Sequence, residues 1–465
     1  MQNNPTKSNE NSTITITRMA PGDQHIALDY INTDSRPTDT YTVILKRMDT
    51  DALIECTDIC IRDNMVYIGG LLNWIDYSIY IALLDEQGKV CAASRTRLFR
   101  TGYVPGTVVN YIHPEDYTYH PSGRSPASPS ILRMNDGSLL ISHDVFWHGD
   151  AQNLTKIFRS DDEGQTWMFL SDVTPCFWGK LFLMNGKLYI LGMNGEYGAM
   201  LIFHSPDNGY TWTKPSVIMP DGTEETGGPH KGPMPVITHN GRLWTGIDYG
   251  AWHVGGFSSG CASISENTDP MVPSNWTIPP FLPYSHDWDG TVEGGNPTLL
   301  EGNIVITPDG ELVNFLRYNP QGGLPSHGLA IMLSVDKNAP DAPLSFYKTV
   351  NFPGSLSKFT ITPEPYTGRY YSLVSRVTQN TGQRNILTLI SSADLINWVI
   401  ERDIINYEDN GWRENYEKVG FQYIDFIFDG DDILFLSRTA LNDAYNFHNA
   451  NYITFHRITN FKGEI

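Results

Sequence analysis

Positive charge, cysteine and long apolar runs are what this chain has least of. Lysine and arginine number 32 against 52 aspartates and glutamates, a formal net charge of −20. That balance excludes the broad basic footprint nucleic acid requires, but it leaves room for a small anion held by a local group of arginines. Only 5 cysteines occur in 465 residues, with no CxxC pair. Cys56 and Cys60 would share one face of a strand about 13 Å apart, beyond disulfide reach, so reduced core thiols are expected rather than a disulfide framework. No run of about 18 apolar residues exists, and no membrane span is expected. Residues 1–11 are polar and read as disordered, with no apolar segment of a signal peptide. Cytoplasmic residence is the expectation, or a secreted or periplasmic one if a leader precedes this sequence. There is no GxGxxG or P-loop, so no nucleotide or redox cofactor is expected. A divalent metal stays open, with no ligand assigned.

Aromatics are plentiful, at 11 Trp, 24 Tyr and 20 Phe, which suits β-structure and sugar-stacking surfaces alike. Residues 12–103 carry short alternating runs such as "TITITRM", "YTVILKR" and "YSIYIALLD", the pattern of a small β-sandwich. Leu71, six residues before Tyr77 at a strand start, resembles the corner of a fibronectin type III domain. From 104 to 465 a unit repeats: strand, glycine turn, strand, polar loop. Its turn glycines are Gly137, Gly186, Gly241, Gly310, Gly368 and Gly430, at intervals of 49 to 69 residues. Such units cannot bury both faces alone and stack around an axis, which predicts an all-β chain ending in a six-bladed propeller. A seventh blade stays open within 254–300 or 320–356. The ring must close by pairing its ends, so 106–112 is expected beside 451–458.

"SDDEGQTW" (160–167) looks catalytic but recurs as "SPDNGYTW" (205–212), with a shorter copy, "SADLINW", at 392–398. Ser160, Asp162, Gly164 and Trp167, and likewise Ser205, Asp207, Gly209 and Trp212, suit a hairpin turn: Asp accepts backbone N–H groups, Gly permits positive φ, and Trp packs beneath. An EF-hand is excluded for want of its ligand run and closing Glu. The motif matches the Asp-box of the sialidase-like propellers, and the chain from about 105 to 460 resembles that superfamily. The resemblance implies that the boxes are structural and face away from an active site. True sialidases open the first blade with Arg-Ile-Pro; here Ala127 stands at the arginine position and only Pro129 matches, so the sialic-acid arginine triad is not carried over.

In a propeller the mouth is lined by loops entering each inner strand and leaving each second strand. The second set yields His143, Asp144, Glu196, Tyr197, Asp248, Arg317, Arg376 and Arg438. The first yields His120, Arg124, Trp178, Lys180, His230, Lys231, Glu293 and Lys358. Trp147, Trp178 and Trp252 offer flat faces, and His448 lies near the same rim. Arginines at equivalent places in three blades would repel unless an anion held them together. The expected partner is therefore an acidic, uronate-containing oligosaccharide or polysaccharide. A lyase would use His143, His230 and Tyr197 as acid–base groups with arginine neutralising the carboxylate. A hydrolase would use Asp144, Asp248, Glu196 or a tyrosine, and a catalytically silent glycan-binding propeller is the third possibility. "HKGPMPVITHNGRLW" (230–244) and "NFHNANYITFHRI" (446–458) resemble ulvan lyases and related rhamnosyl-glucuronate enzymes, which places lyase chemistry first.

Overall fold

The computed structural model describes residues 13–35, 39–54, 59–62, 64–292, 297–320, 328–378, 382–410 and 415–463. Nearly all regular structure in them is strand, and none of their helices is long and apolar enough to cross a membrane.

Two antiparallel sheets come first. One runs Ile14–Gly22, His25–Asn32, Met65–Ile68, Ile59–Arg62; the other pairs Thr40–Arg47 with Asp76–Leu84, whose far edge carries Val90–Ala93 and Arg97–Arg100. Alternation drives the packing: along Asp76–Leu84, Tyr77, Ile79 and Ile81 point inward and are almost wholly buried. The Tyr77 hydroxyl accepts the Leu72 N–H at 2.9 Å, pinning the corner before its strand. The cysteine expectation holds only in part. Cys176 and Cys261 are buried, whereas Cys60 and Cys91 are exposed because they sit on edge strands; Cys56 lies outside the described residues.

Six further sheets form the propeller. Blade 1 comprises Ser125–Arg133, Leu139–Phe146, Leu154–Ser160 and Met168–Val173; blade 2 comprises Phe177–Met184, Lys187–Met193, Met200–Ser205 and Ser216–Met219. In blade 3 a split inner strand, Gly228–His230 and Val236–His239, lies beside Arg242–Ala251, followed by Gly256–Ser265 and Trp276–Thr277. Blade 4 has Pro297–Ile306, Leu312–Pro320, Leu329–Val335 and Ser345–Asn351; blade 5 has Ile361–Pro363, Tyr370–Ser375, Ile386–Ser392 and Trp398–Asn406. The stretches considered for a seventh blade thus hold strands of blades 3 and 4. Blade 6 has Gly420–Asp429, Asp432–Ala440 and Tyr452–Ile458, and its fourth strand is Thr107–Tyr111, paired Tyr452 to Tyr111 and Phe455 to Thr107. The ring closes as its sequence required.

The closing strand also anchors the sandwich. Arg18 donates from Nε to the Val109 carbonyl at 2.8 Å while pairing with Asp29, and the Met19 N–H reaches Asn110 Oδ1. Around the axis, an inner-strand side chain of blades 1, 4 and 6 bonds the next blade's backbone. Ser130 Oγ accepts from Leu181 N, Asn303 Oδ1 from Ile361 N, and Asp425 Oδ2 from Ile131 N.

All six turn glycines adopt positive φ between 60° and 89°, as tight hairpins require. The Asp-boxes occupy the turns between third and fourth strands. Asp162 Oδ1 accepts the Thr166 N–H at 2.8 Å, Ser160 Oγ takes Gly164 N, and Trp167 is buried against Phe455. Asp207 and Ser205 repeat these bonds around Gly209, with Trp212 donating to Ser171, and Asp394 holds Ile396 and Asn397 in the short copy. Asp162→Ala is expected to cost on the order of 1–3 kcal/mol, read as a lower urea midpoint, with ligand affinity unchanged in the folded protein.

Candidate active site

Four inner strands are broken by a bulge at the same register. The residue there has positive φ: Ser128 (45°), Trp178 (53°), Glu301 (54°) and Tyr423 (56°). A bulge inserts one residue and re-aims its side chain. The residue before each bulge pairs with one on the second strand, and that partner is Asp144, Met193, Arg317 or Arg438. In blade 3, His230 pairs with Asp248 at the same level.

Of these positions, Trp178, His230, Glu301, Arg317, Tyr423 and Arg438 line a cavity of about 630 Å³ at the end of the ring opposite the Asp-boxes. Arg317, Arg438, Glu301, Tyr423 and His448 line one side, and Arg384, from the loop before Ile386–Ser392, stands behind them. Arg317 Nη1 donates to Glu301 Oε2 at 3.0 Å. On these three arginines five buried guanidinium nitrogens have no hydrogen-bond partner among the described residues: Arg317 Nε, Arg384 Nε and Nη1, and Arg438 Nε and Nη2. Burial opposes charge on Arg317, but Glu301 and Tyr423 outweigh it and raise its pKa. Arg384 is pushed down to about 10 by burial and by Arg317, and Arg438 to about 10 by burial. Tyr423 is raised by burial and by Glu301, with the three guanidiniums opposing. Burial and the nearby arginines hold His448 down at about 3. Three arginines against one carboxylate leave a buried positive excess, and buried unpaired donors are costly.

The facing wall is aromatic and acidic. His230 lies between Trp178 and Phe257, at ring distances of 4.4 and 4.6 Å, with Nδ1 3.5 Å from Asp248 Oδ2. Tyr197 also lines this wall, its hydroxyl raised to about 12 by burial and by Glu196. Of the carboxylates there, Glu196 accepts from Gln152 and Glu224 pairs with His253 at 2.8 Å. Asp150 makes no side-chain hydrogen bond among the described residues; its carboxylate stands 3.9 Å from His120 Nδ1. No group of three or more His, Cys, Asp or Glu side chains among the described residues is arranged to hold a metal ion.

No family model matches the sequence, and no curated protein matches it. Similarity is found among solved structures. The α-L-arabinanase of Penicillium chrysogenum, complexed with arabinobiose, aligns at a TM-score of 0.50 and 14% identity, over 78% of this chain and 99% of that one. A leech intramolecular trans-sialidase complexed with 2,7-anhydro-Neu5Ac aligns at 0.50 and 11%, over 97% and 92%. The fold is the sialidase-like six-bladed propeller. At these identities the likeness is one of fold, and the site must be argued from its own residues.

Within this sialidase-like propeller, several expected site residues lie elsewhere. His143 is one residue short of the mouth-facing position held by Asp144, and a strand flips face at every residue. It is wholly buried, with Nε2 on Asn110 Nδ2 at 3.0 Å and its ring on Phe158, tying blade 1 to the closing strand. Arg376 is one residue past the equivalent position, where Ser375 stands, and turns outward to Asp403 at 2.6 Å. Arg384 supplies the blade 5 guanidinium instead. Asp144 is buried behind the cavity on Thr155, its carboxyl pushed up to about 7 by burial. Asp248 is also buried behind it, accepting the Glu301 N–H at 2.7 Å. Lys231 is buried with its ammonium on the Gly232 carbonyl, and Lys358 bonds the Ile424 carbonyl, so neither reaches the cavity. Lys180 pairs with Asp425 at 2.5 Å, within the ring. His120, Arg124 and Trp147 stand at the rim, outside the cavity lining, and Glu293 lies outside the described residues.

Glu301, Tyr423, Arg384 and Asp150 were not singled out from the sequence. Aligning inner strands instead of turn glycines, "SPS" (128–130) with "WGK" (178–180), "EGN" (301–303) and "YID" (423–425), brings Glu301 and Tyr423 into register. Nothing local marks Arg384.

Two outcomes follow from this geometry. Affinity for a monocarboxylated sugar should fall at least about tenfold in Arg384→Ala, the scale of one charge-assisted pair, and stay within about twofold in Arg376→Ala, by calorimetry. Burial lowers the His143 pKa to about 3 from its usual 6.5. The unfolded chain therefore binds that proton first, and the contribution is present above 6.5 and lost as pH falls toward 3. His143→Gln should flatten the acid limb of stability against pH by up to about one proton.

Proposed function

We propose that this propeller is a glycoside hydrolase acting on glycans that carry a carboxylated sugar. The observation that carries the reading is the set of five unpartnered N–H nitrogens on three buried arginines around Tyr423 and Glu301. A sugar carboxylate supplies acceptors and charge together, where a neutral sugar would leave the guanidiniums repelling one another. Both solved relatives are named for work on glycans, but the reading rests on this chain's own cavity.

The chemistry follows from charge. A substrate held by its carboxylate brings a negative charge near the reacting carbon, which repels a carboxylate nucleophile. Tyr423 is neutral until its proton leaves. Burial keeps it protonated at rest, so it needs a base; in this reading Glu301, the carboxylate whose charge acts on Tyr423, takes the proton while Arg317 holds that carboxylate in position. Asp150, whose side chain makes no other hydrogen bond among the described residues, acts in its carboxylic acid form and gives its proton to the departing oxygen. Attack by Tyr423 forms a glycosyl–tyrosine bond and breaks the glycosidic one. Water, giving its proton to the Asp150 carboxylate, then cleaves the intermediate with net retention while Glu301 returns its proton to the departing Tyr423 oxygen.

A second reading keeps the β-elimination expected from sequence, because His230 and Tyr197 face the arginines across the cavity; its third group, His143, is out of reach. Incubation with oligosaccharides carrying a sialic or a uronic acid separates the possibilities. New reducing ends without ultraviolet absorbance are expected. Tyr423→Phe and Asp150→Asn should each lower kcat by about 100-fold or more with KM little changed. Absorbance of a 4,5-unsaturated uronate would instead establish the lyase, and binding without cleavage a glycan-binding module.

A further inference from the structure

At the cavity rim four side chains form one stacked column. The Arg124 guanidinium lies 3.7 Å from the centroid of the Trp147 ring and 4.6 Å from that of Tyr117, and Trp147 meets Tyr445 edge-on at 4.9 Å. We propose that this column is a second sugar subsite, which holds a neutral sugar linked to the carboxylated one; the proposal rests on the hydrolase reading above.

Three observations point there. First, the column is continuous with the cavity on two sides. Trp147 leads directly into His148, Gly149 and Asp150, which line the cavity, and Tyr445 leads into His448 and Asn449, which do the same. The Trp147 carbonyl accepts the Asp150 N–H at 3.1 Å, so the indole and the proposed proton donor belong to one tight turn. A sugar whose oxygen receives the Asp150 proton therefore leaves across this turn.

Second, the ends of the column are open. Tyr117 and Tyr445 are 56% and 53% exposed, although their neighbours hold them in place. Fixed aromatic faces with a polar tip suit the C–H face and hydroxyl groups of a pyranose, with little ordering cost on binding.

Third, the column's one cation already has an acid beside it. Arg124 donates to the Pro114 carbonyl at 3.0 Å and to the Tyr117 hydroxyl, stands 3.8 Å from Glu115, and is mostly covered. Stacked on two rings with Glu115 beside it, the guanidinium stiffens the column, and a neutral sugar suits this platform better than a second carboxylated one. Glu196 is tied to the Trp147 turn through the Gln152 amide, which bonds both the Trp147 carbonyl and the Glu196 carboxylate, so a second carboxylated sugar would meet negative charge here.

The test compares two substrates: the methyl glycoside of the carboxylated sugar, and a disaccharide joining the same sugar to a neutral hexose. The wild-type protein should prefer the disaccharide. Tyr445→Ala should lower kcat/KM for the disaccharide about tenfold and shift the methyl glycoside by less than about twofold, while Tyr445→Trp keeps the preference. Equal loss on both substrates, or an unchanged ratio, overturns the subsite. Should the wild-type protein cleave neither, the hydrolase reading fails by itself. The same ratio is then read from calorimetric binding of the two compounds, where loss of the disaccharide's advantage in Tyr445→Ala upholds the subsite and its retention overturns it.

Discussion

A β-strand turns successive side chains to opposite faces, and that alternation, interrupted once in four of the inner strands, governs everything at the mouth of this propeller. The bulges lift Glu301 and Tyr423 out of the ladder and aim them at the axis. Their left-handed backbone is strained for any side chain but glycine, and such strain persists only where the surroundings enforce it. Here the enforcement is visible just past each bulge, where Asn303 and Asp425 bond the backbone of the next blade. The same residues that close the ring therefore hold Glu301 and Tyr423 in place.

The electrostatics follow from that placement. Carrying Arg317, Arg384 and Arg438 into one buried region is unfavourable by itself, because each loses hydration and each repels the others. Glu301 compensates one of them directly. The remaining donors are a demand built into the fold, and a bound carboxylate meets it better than water or a neutral hydroxyl. Stability and recognition pull in opposite directions here, as they commonly do at preorganised sites.

The two ends of the ring divide their work. At one end, Asp162, Asp207 and Asp394 saturate their carboxylates with backbone and side-chain donors of their own turns. At the other, polar groups stand with donors and acceptors unused. Acids at the first end brace hairpins and have nothing left to give a substrate; acids at the second, such as Asp150, keep that capacity.

Much of the architecture could be read from the chain alone. The spacing of turn glycines and the recurring Asp-box point to six blades with a seventh left open, to a structural role for the boxes and to the strand that closes the ring, because each depends on local chemistry: positive φ, short-range bonds and two-residue alternation. Arg317, Arg438, Tyr197, His230, Trp178 and His448 were legible too, being side chains at loop or strand ends near the mouth. What the sequence could not decide was parity. Whether His143 or Asp144, Arg376 or Ser375, faces inward depends on register to within one residue, and a single bulge reverses it. Nor could it bring together Glu301, Arg384 and Tyr423, which belong to three blades and meet only once the ring is closed. Local periodicity fixes the blades, and only closure of the ring around its axis decides which side chains share the cavity.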